Sequence, residues 1–363
     1  MSELIPVEDV QSANPPGEEP SPSEAIRPRR RTSWLKVVGI AFVAALLLRT
    51  FVFEAYRIPS SSMESSLLVG DYLFVSKLHH GARLPITLGL PFTGLYFREV
   101  ELPTVRLPGI TPVERGEVIV FNYPPEDGPI DRRQHYIKRV AALPGDTLAI
   151  VGKEVRVNGT PLPLPPLARQ VWVLRLTSDT GFSASGAREA LGPDARIDRV
   201  GPRVRHVEAT AEEAERLRVL DGVESIEPLL RPQGDGSAAF PSNPVYSLDD
   251  YGPIIVPERG VTVTLSEANW LLYRTVLVQH EGHRAQRVAG GYEIDGVLTD
   301  QYTFAQDYYF VLGDSRDDSA DSRTWGFVPH DHLVGKAVLI YFSRDPRAPW
   351  WEWRWSRFFR VIR

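Results

Sequence analysis

Hydrophobic residues are distributed along this chain in two patterns, one continuous and one alternating. The continuous run extends over Val37–Phe53 and is interrupted only by Arg49 and Thr50. As a helix this run would rise roughly 25 Å, close to the hydrocarbon core of a bilayer, which is about 30 Å thick. We therefore predict a transmembrane anchor over residues 34–56.

The same run would also fit a buried helix of a soluble protein or a cleaved secretory signal. A long stretch precedes it, and the "FEAYR" that follows does not resemble a small-residue cleavage site, which favours an uncleaved anchor. Residues 1–33 are rich in Pro, Glu and Ser without an apolar period, which predicts a disordered tail. Arginines cluster at the end of this tail, at positions 27 and 29–31, so the positive-inside rule places the N-terminus in the cytoplasm.

The alternating pattern predicts strands rich in Val, Ile, Tyr and Phe. They are expected at residues 71–78, 116–124, 136–143, 146–159, 308–314 and 336–343. Pro144-Gly145 and Asn158-Gly159 are predicted turns between them. The fold class is therefore predicted as mostly β, with an exported catalytic β domain formed by residues 57–160 and 300–346.

Two helical segments interrupt this pattern, at residues 209–220 and 264–282. In the second, Thr264 and Glu267 have the spacing of a capping box. Both lie in residues 161–299, which we interpret as an inserted α+β lobe.

Residues 347–363 combine four tryptophans and five arginines with a single acid in "RAPWWEWRWSRFFRVIR". On a helix, one face would hold Trp351, Trp355, Phe358, Phe359 and Ile362. Such a segment suits the lipid interface, and we predict a membrane-interface tail. The alternative is a packed end strand with solvated arginines.

Composition and motif spacing exclude several kinds of chemistry. The 363 residues carry a net charge of -5, which does not suggest a nucleic-acid partner, and the absence of cysteine excludes disulfides and thiolate zinc sites. The two histidines of "HEGH" are three positions apart instead of the four that place zinc ligands on one helix face. The acidic stretch 313–329 lacks the ligand spacing of a calcium loop, so no metal is predicted.

Three consecutive serines, Ser60, Ser61 and Ser62, follow the anchor directly. A serine nucleophile requires a base within hydrogen-bond reach, and none of the eight histidines has a convincing context. Lys138 lies in an apolar strand-like run, where burial would lower its pKa and make a neutral amine available. From this run alone, a solvated lysine on an edge strand is the competing interpretation.

Three motifs occur in order after the anchor: "IPSSSM…LLVGDYLFVSK", "YIKRVAALPGD" and "GDSRDDSADSRTWGFVP". Together they resemble bacterial type I signal peptidase, a membrane-bound endopeptidase that removes signal peptides from exported proteins. The resemblance implies that Ser62 is the nucleophile and Lys138 the general base. It also implies an oxyanion hole formed by the Ser60 hydroxyl and the Ser62 N–H. Ser61 stands where the family often has glycine, and no chemistry is assigned to it.

The resemblance further implies that Ser319 helps to orient the lysine, and that Asp321 and Arg323 support its loop. Shallow pockets for small side chains would explain a preference for alanine at the first and third positions before the cut. The residues at matching positions are Ile58, Pro59, Met63, Leu67, Tyr136 and Ile137.

These motifs imply a single-pass protein of the bacterial inner membrane whose catalytic domain faces the periplasmic side. Preproteins and the bilayer are the expected partners, no cofactor is expected, and the oligomeric state is left open. One alternative is a non-catalytic anchored scaffold that captures extended peptides, which would bind them without turnover. Another is a serine–lysine self-cleaving regulator, but that class expects a DNA-binding or partner module, and the anchor argues against it.

Overall fold

The computed structural model describes residues 34–363 except 65, 90–95, 179–181, 193–195, 232–238 and 242–244. The predicted disordered tail, residues 1–33, lies outside the described residues. The chain forms two units, Met1–Ala44 and Ala45–Arg363. The fold is mostly β and begins with an apolar helix, which confirms the predicted fold class.

Helix α1, Trp34–Phe51, has no buried residue and is long and apolar enough to cross a membrane. Strands rich in β-branched and aromatic residues follow, as the alternating pattern predicts. They are β1 (Phe53–Arg57), β2 (Asp71–Ser76), β3 (Thr87–Gly89), β4 (Tyr96–Glu101), β5 (Val118–Asn122), β6 (His135–Ala142), β7 (Thr147–Val151), β8 (Glu154–Val157) and β9 (Thr160–Pro161).

The middle of the chain alternates strands with short helices. Its first part contains β10 (Arg169–Leu176), α2 (Ala184–Leu191), β11 (Ile197–Gly201), β12 (Val204–Thr210), α3 (Ala211–Arg218) and β13 (Val223–Pro228). Its second part contains β14 (Tyr251–Ile255), β15 (Thr262–Thr264), α4 (Glu267–Thr275), a π-helical turn (Val276–His280), β16 (Ala285–Val288), β17 (Gly291–Ile294), β18 (Val297–Thr299) and β19 (Gln301–Thr303).

The last part of the chain returns to the main sheet. It contains β20 (Tyr308–Leu312), α5 (Ser322–Trp325), β21 (Val328–Pro329), β22 (Leu333–Ser343) and β23 (Arg360–Val361). The main sheet is antiparallel in the order β1-β2-β22-β5-β6-β20-β21, with β23 added on β22.

This strand order brings three sequence motifs to one region of the main sheet. The loop between β1 and β2 carries the serines, β6 carries Lys138, and β20, which pairs with β6, leads into the acidic motif. Met63 and Leu67 are fully buried in a core cluster that also contains Leu73 and Val75 of β2. Burying a side chain of this size contributes about 1.5–3 kcal/mol, so these two residues hold the serine loop against the sheet.

Strands β10–β13 form a separate sheet in the order β11-β12-β10-β13, which we call the inserted sheet. Helices α2 and α3 cover it, and it has its own core, in which Leu174, Val207 and Leu217 are fully buried. Helix α3 begins with the capping box of Thr210 and Glu213: Glu213 Oε2 accepts from Thr210 N at 2.8 Å. Strand β14, although it also follows β10 in the chain, does not join the inserted sheet. It pairs with β7 in a separate sheet, in the order β14-β7-β8-β9.

Two local predictions from sequence differ from the structure. Helix α4 is capped by Ser266 and Asn269 rather than by Thr264 and Glu267, because Asn269 Oδ1 accepts from Ser266 N at 2.8 Å. The C-terminal segment is not a helix: it contains a 3-10 turn at Trp355–Arg357 and strand β23. Backbone pairing with β22 fixes β23, which matches the strand in the alternative, but the arginines are not all solvated, since Arg357 is buried and pairs with Asp71.

Candidate active site

A direct hydrogen bond joins the serine motif to the lysine motif. Lys138 Nζ donates to Ser62 Oγ at 2.7 Å and to the Ile137 carbonyl at 2.9 Å. Strand β6 fixes Lys138 through its pairing with β5, opposite Ile119. The structure therefore brings together the two residues to which the sequence assigned nucleophile and base.

Lys138 is almost completely buried, with 3% of its surface exposed. Burial lowers the pKa of its amine to about 8, while the carboxylates of Asp321 and Asp314 act in the opposite direction. The charged amine loses hydration on burial, whereas the neutral amine loses little. A lysine in this state can accept a proton from a neighbouring hydroxyl near neutral pH.

The serine loop, residues 60–64, places two further hydroxyls near Ser62. Ser60 Oγ lies 3.5 Å from Ser62 Oγ. Ser61 Oγ donates to Asp318 Oδ2 at 2.5 Å, a contact that the sequence did not predict. No backbone acceptor meets the Ser62 N–H among the residues that the structure describes. This N–H and the Ser60 hydroxyl are thus suited to donate to a developing oxyanion.

The acidic loop, residues 313–321, is stabilised by the buried pair of Asp321 and Arg323. Arg323 Nε and Nη2 donate to the two Asp321 carboxylate oxygens, each at 2.9 Å, and Gly313 N donates to the same carboxylate at 3.0 Å. Burial alone would raise the pKa of Asp321, but the Arg323 guanidinium brings it below its ordinary value. Asp321 is therefore a carboxylate, and its charge lies near Lys138.

Gly313 makes a close approach that no other residue could make. A Cβ at this position would lie 2.1 Å from Ser319 Oγ and 2.6 Å from the Ser62 carbonyl oxygen. Ser319 thus packs against Gly313, beside Ser62. No hydrogen bond joins Ser319 to Lys138 among the described residues; the bonds of Lys138 go to Ser62 and Ile137.

A second buried ion pair at the site was not singled out from the sequence. Arg139, the residue after Lys138, donates from Nε and Nη2 to the two carboxylate oxygens of Asp314, at 2.8 and 2.6 Å. Asp314 is fully buried at the start of the acidic loop. The sequence offered one indication of this pair, because each residue lies inside a motif: "YIKR" contains Arg139 and "GDSR" contains Asp314.

The residues assigned to substrate pockets divide by burial. Pro59 is exposed, and Tyr136 and Ile137 are partly exposed. The deeper members are buried in a core cluster against which Ile137 packs: Ile58, Met63 and Leu67. The surface residues could contact a peptide directly, while the buried ones could form the floor beneath it.

Among the described residues, no histidine forms a hydrogen bond with Ser62 or Lys138. His283 pairs with Asp295 at 2.6 Å, whereas the ring of His280 lies 5.8 Å from that of His332. Within the described part of the chain, no cluster of three or more His, Asp or Glu residues is arranged to hold a metal ion.

Comparison with known proteins gives a consistent result. The family described as signal peptidase, peptidase S26, matches residues 31–184 and 272–342. Signal peptidase I of Haemophilus influenzae is 27% identical over 340 residues, covering 92% of this chain and 75% of the relative. Signal peptidase I of Aquifex aeolicus is 26% identical over 304 residues, covering 84% of this chain and 81% of the relative. Signal peptidase I of Pseudomonas aeruginosa is 26% identical over 314 residues, covering 83% of this chain and 69% of the relative.

The family match covers more than half of the chain and includes both the serine loop and the strand that carries Lys138. It confirms the resemblance inferred from the three motifs and does not favour the alternative of a non-catalytic scaffold. The chain therefore belongs to the signal peptidase family, peptidase S26.

Proposed function

We propose that in this signal-peptide-cleaving serine endopeptidase Ser62 is the nucleophile and Lys138 the general base. The observation that carries the proposal is the 2.7 Å contact between Lys138 Nζ and Ser62 Oγ. Its second support is the burial of Lys138, which favours the neutral amine.

The reaction begins when the neutral amine of Lys138 accepts the Ser62 proton. Ser62 Oγ then forms a bond to the scissile carbonyl carbon, and the carbonyl oxygen becomes an oxyanion. As the C–N bond breaks, the lysine ammonium donates its proton to the leaving amine, and an ester to Ser62 remains. Water then attacks this ester with Lys138 again acting as base, which releases the signal peptide and restores Ser62.

The oxyanion receives two donors, the Ser62 N–H and the Ser60 hydroxyl. Loss of a single donor of this kind costs about 10²–10³ in turnover in other serine peptidases. Behind these groups, Asp321 and Arg323 hold the acidic loop, and Ser319 packs against Gly313, whose backbone lies against the Ser62 carbonyl.

The substrate binds as an extended chain over Pro59, Tyr136 and Ile137, with Ile58, Met63 and Leu67 beneath. Because the core under this surface is densely packed, the pockets that receive the substrate side chains before the cut have room only for small ones. The substrate pockets therefore select alanine-sized residues at the first and third positions before the scissile bond.

Helix α1 anchors the enzyme in the membrane, with its arginine-rich amino-terminal flank in the cytoplasm and the catalytic domain on the opposite, periplasmic face. The exposed aromatic residues of the C-terminal segment, Trp350, Trp351, Trp355 and Phe359, contact the lipid interface. An anchored enzyme and a membrane-held preprotein meet at a high effective concentration, which favours cleavage at the membrane surface.

The specificity can be tested with the detergent-solubilised full-length protein and a labelled preprotein. We expect efficient cleavage with alanine at the position before the cut. Leucine there should lower kcat/KM by roughly 10- to 200-fold, the range for a group that does not fit its pocket. The matched control places leucine at the second position before the cut, where little change is expected. Equal cleavage of the alanine and leucine substrates at the same bond would contradict the proposed pocket.

A further inference from the structure

The acidic loop lies between the serine loop and the inserted sheet. On the sheet side, it pairs with the first residue of β10 through a short parallel bridge between Arg169 and Ser315. Arg169 N donates to the Asp314 carbonyl and Arg316 N donates to the Arg169 carbonyl, each at 2.8 Å. The backbone of the inserted sheet is thus bonded to the loop that supports Lys138.

Asp317 makes the main side-chain connection on this side of the loop. Its carboxylate accepts from Lys153 Nζ at 2.7 and 2.8 Å and from Val171 N, on β10, at 2.7 Å. Arg231 Nη2 lies 3.3 Å from Asp317 Oδ1 and donates to the Asp317 carbonyl at 3.3 Å. The side chains of Lys153 and Asp317 are only 5% and 13% exposed, so water screens this pair weakly.

Lys153 is itself held in an unusual conformation. It occupies the tight turn between β7 and β8 with φ of 70°, a left-handed conformation that is uncommon outside glycine. Its N–H donates to the Asp249 carbonyl at 2.8 Å, in the segment before β14. The turn therefore directs a fixed ammonium group at Asp317.

On the opposite side, the acidic loop is bonded to the serine loop. Ser315 N donates to the Ser62 carbonyl at 3.1 Å, and Asp318 accepts from Ser61 Oγ at 2.5 Å. Ser315 and Asp318 flank Asp317 within four residues of chain. A displacement of Asp317 would therefore move the partners of Ser61 and Ser62 together.

We propose that Asp317 is a positioning residue, through which the inserted sheet and the Lys153 turn hold the acidic loop in register with the Ser62–Lys138 pair. This inference depends on the roles proposed above for Ser62 and Lys138. It gives the inserted sheet a function in the reaction itself, although among the described residues none of its side chains forms a hydrogen bond with Ser62 or Lys138. A displacement of about 1 Å in a reacting group can cost about 10²-fold in rate, so a modest shift of the loop has a large effect.

The test uses Asp317→Asn and Lys153→Met, alone and combined, in the full-length protein with the labelled preprotein. Each single variant should lower kcat about 10- to 100-fold and leave KM within about twofold, because the substrate surface is unchanged. The double variant should be no slower than the slower single variant, because either change alone already removes the Lys153–Asp317 ion pair. Should Asp317→Asn fail to fold, the kcat of Lys153→Met decides alone.

The matched control is Asp146→Asn. Asp146 also forms a partly buried ion pair, with Arg115 at 2.8 Å, and its side chain is 11% exposed, but its partners lie outside the acidic loop. This variant should lower thermal stability while its kcat stays within about twofold of the wild type. The inference is overturned if the Asp317 and Lys153 variants behave like Asp146→Asn, or if their losses multiply in the double variant. Ser62→Ala in the same assay distinguishes failure of this inference from failure of the proposed dyad. Full activity in Ser62→Ala would refute the dyad itself.

Discussion

Replacement of Ser62 by alanine is expected to lower kcat for preprotein cleavage by at least about a thousandfold. Alanine removes the only hydroxyl that contacts Lys138 Nζ among the hydrogen bonds of the described residues, and leaves no group to form the ester. The substrate surface is unchanged, so the variant should still bind the preprotein. Cleavage of a labelled preprotein under single-turnover conditions would measure the loss without interference from product release.

The neighbouring Ser61 provides the matched control for this experiment. Its hydroxyl points to Asp318 instead of Lys138, so Ser61→Ala should lose less than about tenfold in kcat, the scale of one exposed hydrogen bond. A large loss in Ser61→Ala together with near-normal activity in Ser62→Ala would contradict the assignment of Ser62 and point to Ser61 as the nucleophile.

Replacement of Lys138 by methionine is expected to lower kcat by about 10²- to 10⁴-fold, the usual contribution of a general base. Methionine has a similar length and no charge, so it adds no polar atom to the buried site, although the Ile137 carbonyl loses the Lys138 donor. Among the described residues, no other amine or imidazole donates to or accepts from Ser62 Oγ, so no alternative base replaces it. The same preprotein assay, combined with a thermal unfolding measurement, separates lost chemistry from lost folding.

Lys336→Met is the matched control, because it replaces a lysine of the same sheet that is not the proposed base. Lys336 lies on β22 and pairs with Glu117, and among the described residues it forms no hydrogen bond with Ser62 Oγ. Its replacement should change kcat by less than about twofold, in keeping with the small contribution of a partly exposed ion pair. If Lys138→Met were as active as Lys336→Met, the base would have to be another group.

Much of the fold was predictable because it depends on local pattern. The runs of Val, Ile, Tyr and Phe give strands β2, β5, β6, β20 and β22 to within a few residues, and the apolar run gives α1. The order of the main sheet was not predictable in this way. Strand β22, near the end of the chain, lies between β2 and β5, and a pairing over such a distance leaves no local signal.

The candidate site shows the same division. Burial of Lys138 follows from an apolar strand, but its pairing with Ser62 was inferred from family motifs, since the two residues are 76 positions apart. The Asp317–Lys153 contact joins residues 164 positions apart, and neither lies in a spacing pattern that would connect them. The aromatic residues of the C-terminal segment fit a helical face, but backbone bonds to β22 decide its structure, and such long-range bonds leave no local signal.

The pH dependence of kcat/KM for the wild-type enzyme tests the central claim most directly. Only the neutral amine of Lys138 can accept the Ser62 proton, so activity should be low in acid and rise with pH. Burial lowers the pKa of Lys138 from 10.5 to about 8, so the rise should have its midpoint near 8 and reach a plateau above it. A midpoint close to 10.5, the ordinary value for a solvated lysine, or a rate independent of pH across this range, would contradict the account.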